Sequence, residues 1–275
     1  MTGHPPIRSR SGLSVRAGGA AATHRALAEE VAVALVYDGT TQAVMMASPQ
    51  DLRDFAVGFS VTEGIVESAG QIESLEIVEH GPGIEVRMWL TAARSASLAA
   101  RRRAMTGPIG CGLCGIDSLD EALRPAPAVA DTPLALPAHE VAAAMAALRA
   151  AQVLHDRTHA AHAAGFWVPG KGLLALREDV GRHNALDKLA GALIDAGTDP
   201  RRGAVILTSR VSVDLVQKTA AMGVPVLVAV SAPTAHAARL AEEAGLTLVA
   251  NARGDGFDVF SRPDRIAQEA SSHVA

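Results

Sequence analysis

Cysteine is nearly absent from this chain: 275 residues hold two, Cys111 and Cys114. A single pair at C-x-x-C spacing cannot staple a fold of this length, so a disulfide framework is excluded. In a reducing compartment such a pair is kept for chemistry or for metal. Long apolar runs are missing as well. None approaches the roughly 18 residues of a membrane span, and Met1 to Arg10 are polar with no hydrophobic segment behind them. No secretory signal is therefore read, no membrane is expected as a partner, and a cytoplasmic location is expected. Nor is there an excess of positive charge. The 25 Lys and Arg against 29 Asp and Glu leave a net charge of −4, which argues against a general nucleic-acid binder. Arg101-Arg102-Arg103 is a local exception, read as a solvated helix end that complements the helix dipole, with anion or partner binding as the alternative. Two further absences bear on the cysteines. No histidine or cysteine stands near them in the H-x-E spacing of a zinc deaminase, and no strand precedes them as a thioredoxin-like motif requires.

What is present around the thiols is glycine. In Gly110-Cys111-Gly112-Leu113-Cys114-Gly115 glycine stands on both sides of Cys111 and directly after Cys114, and Gly107 precedes them. Glycine tolerates the positive φ angles of a tight loop, so an accessible, mobile loop is expected. Such thiols suit redox exchange, sulfur relay or half of a metal site.

Length and the 49% apolar content favour two domains. Residues 1–28 show no apolar periodicity and read as a flexible tail. Residues 29–124 read as a small α+β domain ending in the C-x-x-C loop. Strands are expected over 31–37 and 43–47, joined through Asp38-Gly39, and over 72–79 and 84–90. Between these pairs, Ser48-Pro49-Gln50-Asp51 reads as a helix start with Ser48 as N-cap. Leu52, Phe55, Ala56 and Phe59 form its buried stripe, and Glu63-Gly64 closes it, with Glu63 read as an ordinary exposed carboxylate. Helices are expected over 95–104 and 117–123. Residues 125–137, rich in proline, read as a linker. Residues 138–275 alternate helix and strand, the α/β pattern of a cofactor-binding domain. Their strands at 204–208, 226–230 and 246–250 are continuous apolar runs, as in a sheet covered on both faces.

Ligands of open α/β sheets bind at the carboxyl ends of the strands. Three segments there carry residues able to cap a helix, Asn184, Ser212 and Thr234, and free helix N-termini attract anions. Arg182, Arg210 and Arg253 fall at the same edge and suit phosphate. His162 and His183 are candidates for acid–base or ligand work.

Six segments together resemble the formate dehydrogenase accessory sulfurtransferase family of the FdhD type, over roughly residues 30–262. They are Met46-Ala47-Ser48-Pro49 with Val57-Gly58-Phe59 and Glu63-Gly64-Ile65, the glycine-flanked cysteine loop, Glu178 to Lys188, Ser209 to Ser212, Ser231 to Thr234, and Leu246 to Gly254. The resemblance implies that Cys111 accepts a persulfide sulfur from a cysteine desulfurase. The sulfur would pass to the molybdenum of a bis-molybdopterin guanine dinucleotide cofactor, bound as substrate and destined for formate dehydrogenase, with Cys114 assisting. It further implies that Ala250, Asn251, Ala252, Arg253, Gly254 and Asp255 contact the cofactor, with Arg210, Arg182 and His183 nearby. A C-terminal domain of three layers like cytidine deaminase, without its zinc, and a homodimer are also implied. Two positions depart from the family pattern: His159 and Ala160 stand where relatives usually carry glycines, and Asn251 where phenylalanine is frequent. A zinc-dependent deaminase-like hydrolase and a cofactor chaperone without chemistry remain the alternative readings.

Overall fold

The computed structural model describes residues 3–81, 83–104, 125–254 and 256–267. Cys111, Cys114, the helix expected over 117–123 and Asp255 lie outside the described residues.

The chain begins with a difference from the sequence reading. Strands β1 (Ile7–Arg16) and β2 (Gly19–Ala28) form an antiparallel hairpin where a tail without structure was expected. The hairpin is exposed along most of its length and is held by its backbone ladder, so it needs no apolar alternation and shows none. Strand β2 lies against a short helix of the second domain, which supplies the support a two-stranded hairpin lacks alone.

The first domain is a four-stranded sheet in the order β4-β3-β6-β5. Its strands are β3 (Val31–Tyr37), β4 (Thr40–Ala47), β5 (Ile72–His80) and β6 (Gly83–Leu90). Helix α1 (Leu52–Thr62) covers it, burying Leu52, Phe55, Ala56 and Phe59 against Val33, Leu35, Val86 and Met88. Burying a side chain such as Phe55 contributes about 1.5–3 kcal/mol. Helix α2 (Ala92–Ala104) adds Leu98 to this core.

The helix start differs from the expected cap. Asp51, in a left-handed conformation at φ 54°, precedes α1 and makes no side-chain capping bond. Ser48 is instead fully buried, and its amide donates to Asp179 Oδ2 at 2.9 Å. Its hydroxyl accepts from the Val180 amide and its carbonyl accepts from Lys188 Nζ. A charged partner across the domain boundary outcompetes a local cap, because charge-assisted hydrogen bonds are roughly twice as strong as neutral ones.

The second domain is a three-layer α/β/α sandwich on a six-stranded sheet, β13-β12-β11-β10-β8-β9. Residues 125–137 do more than connect. Val129 enters the core, and the short β7 (Leu136–Pro137) pairs with the last described strand, β14 (Ile266–Ala267). Helix α3 (Ala138–Ala150) and the short α4 (Val153–Thr158) follow. Then come β8 (His162–Val168), β9 (Gly172–Asp179), α5 (Arg182–Asp195), β10 (Ala204–Leu207), α6 (Val213–Ala221), β11 (Val226–Ala229), α7 (Ala235–Glu243), β12 (Thr247–Arg253) and β13 (Gly256–Ser261). Strands β10, β11 and β12 run parallel. Their apolar runs serve both faces. Val205, Leu207, Leu227 and Ala229 meet α5, α6 and α7, while Ala204, Ile206, Val226 and Val228 meet α3.

Helices α1 and α5 join the two domains and cross at glycines. A Cβ at Gly58 would come within 2.7 Å of the Gly191 nitrogen, and one at Gly191 within 2.6 Å of Asp54 Cα. Neither site holds a side chain without moving backbone. Gly191→Ala is therefore expected to cost about 1–3 kcal/mol or more, the usual penalty for overpacking. Urea unfolding should show the midpoint fall, and a midpoint equal to the parent's would contradict this close approach.

Candidate functional site

The last two residues of β9 point to opposite sides of the strand and organise two different places. Glu178, nearly buried, accepts from the Leu154 and His155 amides at 2.7 and 2.8 Å, tying the start of α4 to the sheet. Asp179, fully buried, pairs with Lys188 Nζ at 2.6 Å and accepts from Ser48, Gly181 and Asn184.

On the Glu178 side opens a crevice of about 790 Å³, within the range usual for small-molecule sites. It lies at the carboxyl ends of β9 to β12, where the topology expects a ligand. Arg149 from α3, Gln152, His155, His159, His162 and Arg253 contribute the polar part of the wall. Met145, Ala160, Ala161, Val180 and Ala252 contribute apolar surface. His155 Nδ1 faces the Ala161 carbonyl at 2.9 Å and so donates to it, leaving Nε2 as an acceptor in the neutral ring. His159 packs edge-on against His155, with ring centroids 5.7 Å apart. It adopts φ 55°, in the left-handed region where glycine is the cheapest residue. Burial, and after it the charges of Arg182 and His155, lower the pKa of His162 from its ordinary value.

Of the residues expected at this site, Ala252, Arg253 and Gly254 line the crevice. Arg253 Nε donates to the Val230 carbonyl at 2.9 Å, and no carboxylate pairs with its guanidinium among the described residues. Ala250 is fully buried inside β12. Asn251 is exposed at φ 53° and bonds Asp258 at 2.7 Å, at a register shift between β12 and β13. Arg210 is exposed and does not line the crevice. Arg182 does not line it either, although its charge reaches His162 and its Nε is buried without a partner among the described residues. Of the three arginines expected along one edge, Arg253 alone lines the crevice among the described residues.

The expected helix caps separate in the same way. Thr234 caps α7, accepting from the Ala237 amide at 3.1 Å. Gly181 holds the N-cap position of α5, while Asn184 lies inside the helix and donates to the Met46 carbonyl and Asp179. Ser212 is at the N-cap position of α6 but caps nothing, its hydroxyl lying 3.3 Å from His183 Nε2.

His183 does not line the crevice. It faces Ser212 and Asp214, beside an ion cluster at the domain boundary. There Lys218 Nζ contacts Asp187 at 2.9 and 3.0 Å and Glu63 at 2.6 Å, while Thr62 donates to Asp187 at 2.6 Å. Glu63 is therefore a partly buried ion-pair member and not an ordinary exposed carboxylate. One ammonium shared by two carboxylates leaves excess negative charge. Burial pushes Asp187 up to about 6, against the pull of Lys218 and with Glu63 adding to the push. For Lys218 burial works to lower the pKa, but Asp187 and Glu63 outweigh it and the net direction is upward. Burial, helped by the charge of Arg182, takes His183 down to about 4, so the ring is neutral at pH 7.

Gln152, Arg149, His155 and His159 were not marked as site residues by the sequence. Gln152 sits at helical spacing after Val141, Met145 and Leu148 and reads as part of a buried stripe. The His155-His159 spacing of one helical turn is the signal that could have found that pair. Among the described residues no group of three His, Asp or Glu side chains is placed to hold a metal ion, and no helix is long and apolar enough to cross a membrane.

The cluster predicts a pH dependence. A histidine held below its unfolded value contributes stability that is lost as pH falls from about 6.5 towards 4. Asp187, held above its unfolded value, acts in the opposite sense and adds stability as pH falls from about 6 towards 4. His183→Gln removes only the first effect. The stability advantage of the parent over this variant should shrink by about 2–3 kcal/mol between pH 7 and 4.5 in urea titrations. A constant difference would contradict a neutral, partly buried ring.

Comparison with known proteins agrees with this architecture. A model of the FdhD/NarQ family matches residues 28–267. The chain is 54% identical to the sulfur carrier protein FdhD of Agrobacterium fabrum over 92% of its own length and 93% of the relative's. It is 51% identical to that of Brucella abortus over 98% and 100%. A crystal structure of a formate dehydrogenase accessory protein from Desulfotalea psychrophila superposes with a TM-score of 0.76 at 27% identity, covering 96% of this chain and all of that one. The chain belongs to the FdhD/NarQ family.

Proposed function

We propose that this protein is a sulfur carrier that activates a formate dehydrogenase by sulfurating its molybdenum cofactor. The observation that carries the reading is that Ala252, Arg253 and Gly254 line the crevice in a chain half identical, almost end to end, to proteins named sulfur carriers. The wall fits an anionic, polar cargo. Among the described residues it presents a guanidinium without a carboxylate partner and a buried amide donor without an acceptor, Gln152 Nε2. Such groups gain most from a ligand that satisfies them.

In this proposal Cys111 is the carrier. Its thiolate attacks the outer sulfur of a persulfide on a cysteine desulfurase, whose own cysteine leaves as thiolate. Arg253 holds the cargo, a bis-molybdopterin guanine dinucleotide, through phosphate, with Ala252 to Gly254 as the contacting segment. The bound cofactor supplies the molybdenum that takes up the sulfur. Cys114 resolves the carrier by attacking Cys111 Sγ. Hydrosulfide is then released and a Cys111–Cys114 disulfide forms, which a thiol reductant reopens. A homodimer is part of the proposal. The desulfurase and the formate dehydrogenase are its donor and its client.

Two outcomes test it. Intact-mass spectrometry after incubation with a cysteine desulfurase and cysteine should show one added sulfur atom, lost in Cys111→Ala. Full loading of that variant, with loss only in Cys114→Ala, would reverse the two roles. Arg253→Ala should bind guanine nucleotide about tenfold or more weakly, the value of one charge-assisted phosphate contact. Calorimetric titrations indistinguishable from the parent's would remove Arg253 from the site.

A further inference from the structure

Gln152 stands out among the polar side chains of the crevice. It is only 2% exposed, and its Nε2 has no hydrogen-bond partner among the described residues. Buried carboxamides are nearly always satisfied, so an orphaned one in an otherwise well-bonded region calls for an explanation. The region is well bonded. The Gln152 carbonyl accepts from the Asp156 amide at 3.1 Å, and the Leu154 and His155 amides that follow are held by Glu178. His155 is anchored in turn to the Ala161 carbonyl. Backbone on both sides of the side chain is therefore fixed, yet the carboxamide nitrogen has no acceptor among the described residues. A functional group on a rigid support, short of one partner, is the arrangement of a preorganised binding residue.

The chemistry of the missing partner follows from the group. A carboxamide offers an N–H donor beside a C=O acceptor. Its complement is a flat edge carrying an acceptor beside an N–H, as in a cyclic lactam. The surrounding wall suits a flat ring: the imidazoles of His155 and His159 and the apolar side chain of Met145 share the crevice with Gln152. Arg253 stands in the same wall for a phosphate attached to that ring.

We propose that Gln152 is a specificity-determining residue whose carboxamide pairs with the lactam edge of a phosphorylated heteroaromatic ring bound in the crevice. The inference rests on the reading of the crevice as the cargo site. Guanine and pterin rings both present such an edge, and the cargo would supply both. Adenine carries an amino group where these rings carry the carbonyl.

The test is calorimetric titration of the full-length protein with three probes, GMP, AMP and 6-hydroxymethylpterin diphosphate. The proteins compared are the parent, Gln152→Met and Gln152→Glu. Methionine keeps the volume and removes both polar atoms, and glutamate keeps an acceptor but loses the donor. For the parent, GMP or the pterin should bind roughly tenfold or more tightly than AMP, and both variants should lose that preference while AMP affinity changes little. Loss confined to GMP assigns the guanine end to Gln152, and loss confined to the pterin assigns the pterin end. Ligand-free Gln152→Met should melt at or above the parent Tm, because it removes an unsatisfied buried donor. An unchanged preference in both variants would overturn the inference. A lowered Tm with unchanged affinities would also do so, by assigning the side chain to folding. The cargo reading fails separately. If the parent binds none of the three probes, that reading falls and takes this inference with it. If binding is present and weakened by Arg253→Ala but indifferent to Gln152, only the inference falls.

Discussion

The structure depends on the contact between α1 and α5. Two helices approach closely enough for backbone to touch backbone only where side chains are missing, and Gly58 and Gly191 supply both gaps. At such a distance the polar groups along the seam are desolvated, and each must find its partner across it. Thr62 and Glu63 meet Asp187 and Lys218, Ser48 meets Asp179 and Lys188, and Asp54 meets Arg177 at 2.7 Å. Buried ion pairs contribute little net stability, because desolvation offsets the attraction, but losing one partner is costly. Their effect here is to admit one relative placement of the two domains, since any slip would strand a buried charge.

That placement reaches the crevice through two adjacent residues. Asp179 belongs to the seam and Glu178 to the crevice, and the pleat of β9 keeps their side chains on opposite sides. A shift of β9 that loosened Asp179 from Lys188 would also move the carboxylate on which the start of α4 hangs. Gln152, His155 and His159 are thus held in position by the same strand that locks the domains together.

The second domain was legible because its evidence is local and repeated. Apolar runs such as Val205 to Leu207 and Val226 to Ala229 can only be buried on both faces, and the intervening helices provide the cover. Arg253 was legible as a residue at a strand end, and its neighbours only through the family resemblance. The hairpin over residues 7–28 was not, since exposed ladders are held by backbone groups that every sequence has. The Ser48 cap was misread because local capping rules see only the nearest amides, and the winning partner lies 131 residues away.

The alternation of helix and strand in the second domain, the burial of its apolar strands on both faces and the glycines beside Cys111 and Cys114 were determined by the sequence alone, because each follows from periodicity or from neighbours a few residues apart. Only the tertiary structure decided which polar side chains converge. It took Arg253 into the crevice and left Arg210 outside, turned His183 and Glu63 towards the seam, and left Gln152 Nε2 buried without a partner among the described residues. The physical reason is that direction and burial of a side chain are set by what packs against its element. Those neighbours come from distant parts of the chain, which no local pattern records.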